Sequence, residues 1–220
     1  MPPSSSLLPQ LLLSLLRPSS CSLSFFTASD THLGHDVGGV TSLSLNVATI
    51  ARMNALASCG GAGANCSWPA ALGGGAVLPP RAVVVSGDLI DNGADATGVM
   101  VAQWANWTAL YGLDGTDGAL RLPVYESRGN HDGGNTSDVM PHYVASEIVA
   151  RNQLRLATPG FELERVSETG LHYSWSWNVS ATCRAHFVQL GLYAGHTCVG
   201  CAPAASCFYG APCYAGFVFP

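Results

Sequence analysis

Three short apolar, β-prone runs in this chain each stop at a turn rich in oxygen or imidazole donors. That repeated arrangement constrains the fold more than any other feature. Ser22 to Ser29 (SLSFFTAS) runs into Asp30-Thr31-His32. Ala82 to Ser86 (AVVVS) runs into Gly87-Asp88-Leu89-Ile90-Asp91, and Leu120 to Ser127 (LRLPVYES) into Gly129-Asn130-His131-Asp132. A continuous β-branched run such as Val83-Val84-Val85 suits a strand covered on both faces, as in a parallel sheet. Pro123, which cannot donate to a ladder, belongs at the start of the third strand.

Helical spacing separates the runs. Val40 to Leu56 places Val40, Leu43, Val47, Ile50, Met53 and Leu56 on one predicted face, capped by Asp36 or Thr41. Thr97 to Tyr111 offers Val99, Val101, Trp104, Leu110 and Tyr111. Ser137 to Leu156, capped by Ser137 or Asp138, offers Val139, Tyr143, Val144, Ile148 and Leu154. The order β-α-β-α-β-α predicts an α/β fold whose ligand sites gather at the carboxyl edge of a parallel sheet. Further on, Leu171 to Asn178 and His186 to Leu192 alternate as an antiparallel hairpin, with Tyr173, Trp175 and Trp177 as a core stripe.

The turns carry the chemistry. In an extended segment, residues i and i+2 face the same way, so Asp30 and His32 form a chelating pair. Gly87 lets the backbone turn sharply and present Asp88, whose two oxygens suit a bridge between two cations. Asp91 is placed to orient a ligand or a catalytic imidazole. Asn130 offers a neutral amide oxygen and His131 a titratable ring, with Asp132 expected to hold that ring. His35, in Gly34-His35-Asp36, is expected to be a solvated loop residue.

Composition narrows the alternatives. At 220 residues the chain is long enough for one core, and its 48% hydrophobic and 10% charged residues contrast with the ~25% charged typical of globular domains. The net charge of −5 leaves no electrostatic footprint for nucleic acid. All nine basic residues are Arg, which excludes a P-loop lysine, a Schiff-base lysine and a Ser-Lys dyad. Eight Cys, four Asn-x-Ser/Thr acceptors (Asn65, Asn106, Asn135 and Asn178) and the Leu7–Leu16 run predict a glycoprotein with disulfides. Residues 1–20 read as a signal-peptide-like leader, too short to be a transmembrane span, and the expected location is secreted or the endomembrane lumen. The Gly/Ala-rich loop from Ser58 to Pro80 is predicted to be closed by Cys59–Cys66. Residues 196–220, with Cys198-x-x-Cys201, Cys207 and Cys213, form a Cys-rich tail that lacks the second Cys-x-x-Cys of a zinc knuckle.

In order, Asp-x-His, Gly-Asp-x-x-Asp and Gly-Asn-His-Asp resemble the hallmarks of the calcineurin-like metallophosphoesterases, and the resemblance covers roughly residues 22–193. It implies the N-terminal part of an α/β/β/α sandwich, truncated, with an incomplete phosphoesterase domain over 21–195. It implies two metal ions (Mn, Fe or Zn): Asp30 and His32 on the first, Asp88 bridging, and Asn130 on the second. His131 would contact the phosphoryl group and help protonate the leaving oxygen, with Asp91 and Asp132 in supporting catalytic roles. The implied activity is hydrolysis of a phosphorylated small molecule or other phosphoric ester by a metal-bound hydroxide. Asp91 stands where the purple acid phosphatase branch carries Tyr, which argues against that branch. The family's later His and Gly-His-x-His are not matched, since Gly195-His196 is followed by Thr197-Cys198. The alternative is therefore a non-catalytic, truncated remnant that binds metal weakly or not at all.

Overall fold

The computed structural model describes residues 21–59, 66–92, 98–132 and 143–190. The leader, the Cys-rich tail and residues 133–142, including the expected helix cap at Ser137 or Asp138 and Val139, lie outside the described residues.

The fold is mixed α/β. Strands β1 (Phe26–Ala28), β4 (Val83–Val85) and β5 (Val124–Glu126) form a parallel sheet in the order β1-β4-β5. Their register sets Ala28 beside Val85 and Val85 beside Glu126. The three chains therefore leave the sheet side by side at its carboxyl edge, each entering one of the donor-rich turns. Strands β2 (Asp36–Val37) and β3 (Val40–Thr41) make a two-stranded ribbon between them. A second sheet is antiparallel: β6 (Leu163–Val166), β7 (Tyr173–Ser180) and β8 (Cys183–Gln189). The hairpin β7–β8 matches the sequence expectation; β6 does not appear in it, because a four-residue edge strand with two charges carries little apolar pattern.

Helices α1 (Ser42–Ala57), α2 (Gly98–Tyr111) and α3 (Tyr143–Ala157) pack on one face of the parallel sheet. There Ile50, Met53, Met100, Trp104, Trp107 and Ile148 meet Val83, Val85 and Val124. The antiparallel sheet covers the other face, where Tyr125 stacks on Trp175 at 4.2 Å and Trp175 on Phe187 at 5.0 Å. Tyr173, Trp175 and Trp177 are core, as their alternation predicts. The described residues thus give three layers, helices, parallel sheet and antiparallel sheet. The outer helical layer of an α/β/β/α sandwich is not among them.

Two helices bury only part of the face their spacing suggests: Ile50 and Met53 in α1, and Trp104, Leu110 and Tyr111 in α2, are inward as expected. In α1 the buried residues are Ser42, Asn46, Ile50 and Met53, while Leu43 and Val47 are exposed, and Val40 lies before the helix in β3, exposed as well. In α2, Val99 and Val101 are exposed, and Met100, Gln103, Trp104, Trp107, Leu110 and Tyr111 line the core. The physical reason is the same in both. The inward face follows the hydrogen bonds that Asn46 and Trp107 make beneath the first turn, and polar groups that find partners bury as readily as apolar ones. In α3, Leu154 is likewise exposed, and Arg151, Asn152 and Arg155 are buried in its place. The α1 cap uses both candidates: Thr41 Oγ1 accepts from the Ser44 N–H at 3.2 Å, and Asp36 Oδ1 accepts from the Ser42 N–H at 3.1 Å.

Two disulfides staple the described chain. Cys59–Cys66 closes its loop as expected. Cys21–Cys183 ties the segment that precedes β1 to the start of β8, across 162 residues. A crosslink over so long a loop stabilises by about 5 kcal/mol in the chain-entropy account. Among the described residues no helix is long and apolar enough to cross a membrane.

Candidate metal centre

The Asp-x-His turn and the Gly-Asp-x-x-Asp turn continue the parallel ladder beyond the sheet. The Asp30 N–H donates to the Gly87 carbonyl (3.1 Å), His32 to Asp88 (3.0 Å) and Leu33 to Leu89 (3.1 Å). Thr31, between the two donors, points inward. Its hydroxyl donates to the Leu89 carbonyl (2.9 Å) and accepts from Trp107 Nε1 (3.2 Å). Asn46 Nδ2 donates to the Thr31 carbonyl (2.9 Å), and the Tyr111 hydroxyl donates to Asn46 Oδ1 (2.5 Å). Burial pushes the Tyr111 phenol up to about 12, so it remains a donor. Thr31, Asn46, Trp107 and Tyr111 are thus positioning residues that sequence pattern did not single out. The available signal was an Asn and a Tyr in otherwise apolar helical stripes.

Asp30 and His32 do face the same way, but not through an extended backbone. Asp30 (φ 55°), His32 (φ 41°) and Asp88 (φ 52°) are the non-glycine residues with left-handed backbone among the described residues. Each such residue costs roughly 1–2 kcal/mol. Strain confined to three expected ligands marks a site held against local preference by its surroundings. The loops after β4 and β5 also touch backbone to backbone. A Cβ on Gly87 (φ 118°) would lie 2.6 Å from the Gly129 Cα, and one on Gly129 would overlap Asp88. Both motif glycines are therefore required by close approach.

One donor atom from each of Asp30, His32 and Asp88 lies within 4.8 Å of the others. His32 Nε2 stands 3.5 Å from Asp30 Oδ1 and 3.7 Å from Asp88 Oδ2. A Ser29 hydroxyl hydrogen bond lowers the Asp30 carboxyl below its ordinary value, and the nearby His32 acts in the same direction, so Asp30 is ionised at neutral pH. Asp88 Oδ1 accepts the His131 N–H at 2.8 Å. Asp91 lies where the sequence placed it, beside the imidazoles: its Oδ1 is 3.4 Å from His32 Nδ1, 3.2 Å from His35 Nδ1 and 3.6 Å from His131 Nδ1. His35 is exposed as expected of a loop residue, yet it belongs to this cluster. Asn130 is exposed in the turn between Gly129 and His131.

Asp132 takes a different role from the expected one. It does not hold the His131 ring. Its Oδ1 accepts from the Leu89 and Ile90 N–H groups (2.9 and 3.1 Å) and its Oδ2 from the Gly129 N–H (2.8 Å). It is a buried clasp that joins the second and third turns. Burial raises its carboxyl to about 6 against the opposing pull of those three N–H groups. The His131 ring is held by Asp91, whose carbonyl oxygen is 2.9 Å from Nδ1.

An open cleft of about 360 Å³ begins at Asp30, His32 and His35 and runs along α1 past Val40 and Leu45. No family profile, curated protein or solved structure matches this chain.

Proposed function

We propose that this chain carries the ion-binding edge of a metal-dependent phosphoric ester hydrolase of the calcineurin-like type. The observation that carries the reading is the meeting of Asp30, His32 and Asp88 within 4.8 Å, on three strained residues at the carboxyl edge of a parallel sheet. Two carboxylates and one imidazole fit a divalent ion such as Mn, Fe or Zn. Asp88 would be shared with a second ion, toward which Asn130 offers an amide oxygen. Bound ions would supply Lewis-acid polarisation of the phosphoryl group and activation of water.

The chain's own residues supply position and proton handling. Asp91 orients His32 through Nδ1, the usual role of a carboxylate behind a ligating imidazole. His131, with Nδ1 donating to the Asp91 carbonyl, keeps Nε2 as the basic nitrogen; once protonated, that nitrogen serves a leaving oxygen. Asp132 fixes the relative position of the two turns that bear Asp88 and His131. The cleft beside His35 and Leu45 takes the organic part of a phosphorylated small molecule or other ester. Two disulfides, with acceptor residues Asn106 and Asn178 exposed, support an oxidising compartment, secreted or in the endomembrane lumen.

Hydrolysis of p-nitrophenyl phosphate with added Mn²⁺ or Zn²⁺ tests this reading. Turnover that disappears in Asp88→Asn is expected. Metal uptake without turnover in either ion would instead establish the second reading, a non-catalytic remnant. The observation favouring that second reading is the thin donor set for the second ion: Asp88 and Asn130 are fewer than a bound cation normally needs. No uptake and no turnover would sink the hydrolase reading and leave a remnant that does not bind metal.

A further inference from the structure

Two donor groups in this site share one residue. The first is Asp30, His32 and Asp88; the second is His32, Asp91 and His131, one atom of each again within 4.8 Å of the others. The two groups differ in kind. The first is carboxylate-rich. The second is imidazole-rich, and His35 adds a further ring 3.2 Å from the same Asp91 oxygen.

Distances in the second group suit an ion better than they suit hydrogen bonds. Four donors at about 2.0–2.1 Å from a tetrahedral zinc stand roughly 3.3 Å apart. Asp91 Oδ1 lies 3.4, 3.2 and 3.6 Å from Nδ1 of His32, His35 and His131. Two of these three exceed a good N–H···O separation of about 2.7–3.2 Å. One carboxylate oxygen also has too few lone pairs to serve three donors well. The rings gather closely: the His32 and His131 centroids are 4.4 Å apart, and those of His32 and His35 5.9 Å.

His32 makes the two groups alternatives. A neutral imidazole has one bare nitrogen, and the two ring nitrogens are chemically distinct. With the proton on Nδ1, Nε2 faces Asp30 and Asp88, and Asp91 accepts the Nδ1 proton. With the proton on Nε2, Nδ1 faces Asp91 and the other rings. His131 makes the same choice: its Nδ1 donates to the Asp91 carbonyl at 2.9 Å, and ligation through Nδ1 releases that hydrogen bond and leaves the ring proton on Nε2.

We infer that His32, Asp91 and His131, with His35 at hand, form a second cation site of zinc type that excludes an ion held through Asp30 and Asp88. Imidazole suits Zn²⁺, while carboxylate donors suit Mn²⁺, so the two ions separate by donor preference. Filling the imidazole site would silence an enzyme that runs on the carboxylate site. The exclusion rests on the metal reading of Asp30, His32 and Asp88 given above; the zinc site itself does not.

Calorimetric titration of the full chain with MnCl₂ and with ZnCl₂ tests this. Zn²⁺ affinity is expected to fall at least 10-fold in His131→Ala and to stay within twofold of wild type in Asp30→Asn. Mn²⁺ affinity is expected to show the reverse, and Zn²⁺ is expected to displace the Mn²⁺ that depends on Asp30. Zn²⁺ affinity indifferent to His131→Ala, or weakened equally by Asp30→Asn, overturns the zinc site. Zn²⁺ and Asp30-dependent Mn²⁺ held together overturns the exclusion. Absence of any Asp30-dependent Mn²⁺ uptake also overturns the exclusion, and it marks failure of the hydrolase reading separately from the His131 arm. Circular dichroism of both variants shows whether the fold is retained.

Discussion

Two clusters of ionisable side chains flank strand β5, and they are built on opposite terms. Behind the strand, Glu126 is fully buried and accepts from Arg151 Nε at 2.7 Å and from Arg155. Arg155 also donates to Asn152 (2.6 Å) and to the Val124 carbonyl (2.8 Å). In front of the strand's carboxyl end, Asp30, Asp88 and Asp91 face His32, His35 and His131 at 3.2–3.7 Å. The rear cluster is closed, its charges joined directly by hydrogen bonds. The front cluster is partly exposed, longer in every ion-pair separation and mounted on strained backbone. The residue types alone do not separate structure from function here. Contact distance and backbone strain do separate the two clusters: the rear one joins its charges directly, although Arg155 Nε is left without a partner among the described residues, whereas the front one holds its donors short of one another.

The largest effect that would sharpen this contrast is at the rear. Glu126→Gln leaves two buried guanidinium groups without a counter-charge and should cost about 3–5 kcal/mol, read as a lower urea midpoint. The pH dependence has a definite sign. Burial alone would raise the Glu126 carboxyl, but the charges and hydrogen bonds of Arg151 and Arg155 outweigh it, and the value falls below the ordinary 4.5. A depressed folded value contributes stability above about 4.5 that is lost as pH falls through the depressed value. The Gln variant should lose that part of the wild type's acid limb. An unchanged acid limb would mean that the rear cluster is not the charge-closed unit described.

The intermediate effect is at Asp91, which touches imidazoles without closing a short pair with any of them. Asp91→Asn should weaken Mn²⁺ binding by about 10- to 100-fold, measured by titration, with little change in ion-free melting temperature. A large fall in ion-free stability would place Asp91 among structural charges after all.

The smallest effect is at Asp30. Its left-handed backbone costs roughly what a glycine loses in chain entropy, so Asp30→Gly should shift ion-free stability by less than about 1 kcal/mol while removing Mn²⁺ uptake. A loss of several kcal/mol would show that the front cluster supports the fold as the rear one does.

Much of this was legible in local pattern, and the exceptions have a common cause. The runs ending at Asp30, Asp88 and Gly129 identified parallel strands and their turns, because β-branched composition and glycine position act over a few residues. The same holds for the β7–β8 hairpin and for Cys59–Cys66. The buried face of α1 was legible only in its second half, at Ile50 and Met53. In its first half the burial of Ser42 and Asn46 in place of Leu43 and Val47 depends on Thr31, fifteen residues from Asn46 in the chain. The role of Asp132 was hidden for the same reason: its partners Leu89 and Ile90 lie more than forty residues away.

By itself, then, the sequence determined which segments become strands and helices, and which residues can donate to a cation. Those properties reside in single side chains and their near neighbours. Only the tertiary structure decided that Asp30, His32 and Asp88 meet, that Asp91 faces three imidazoles, and that Arg151 and Arg155 enclose Glu126. Each of these depends on the register of β1, β4 and β5 and on the helices packed behind them, and register is set by contacts between segments that no single stretch of chain contains.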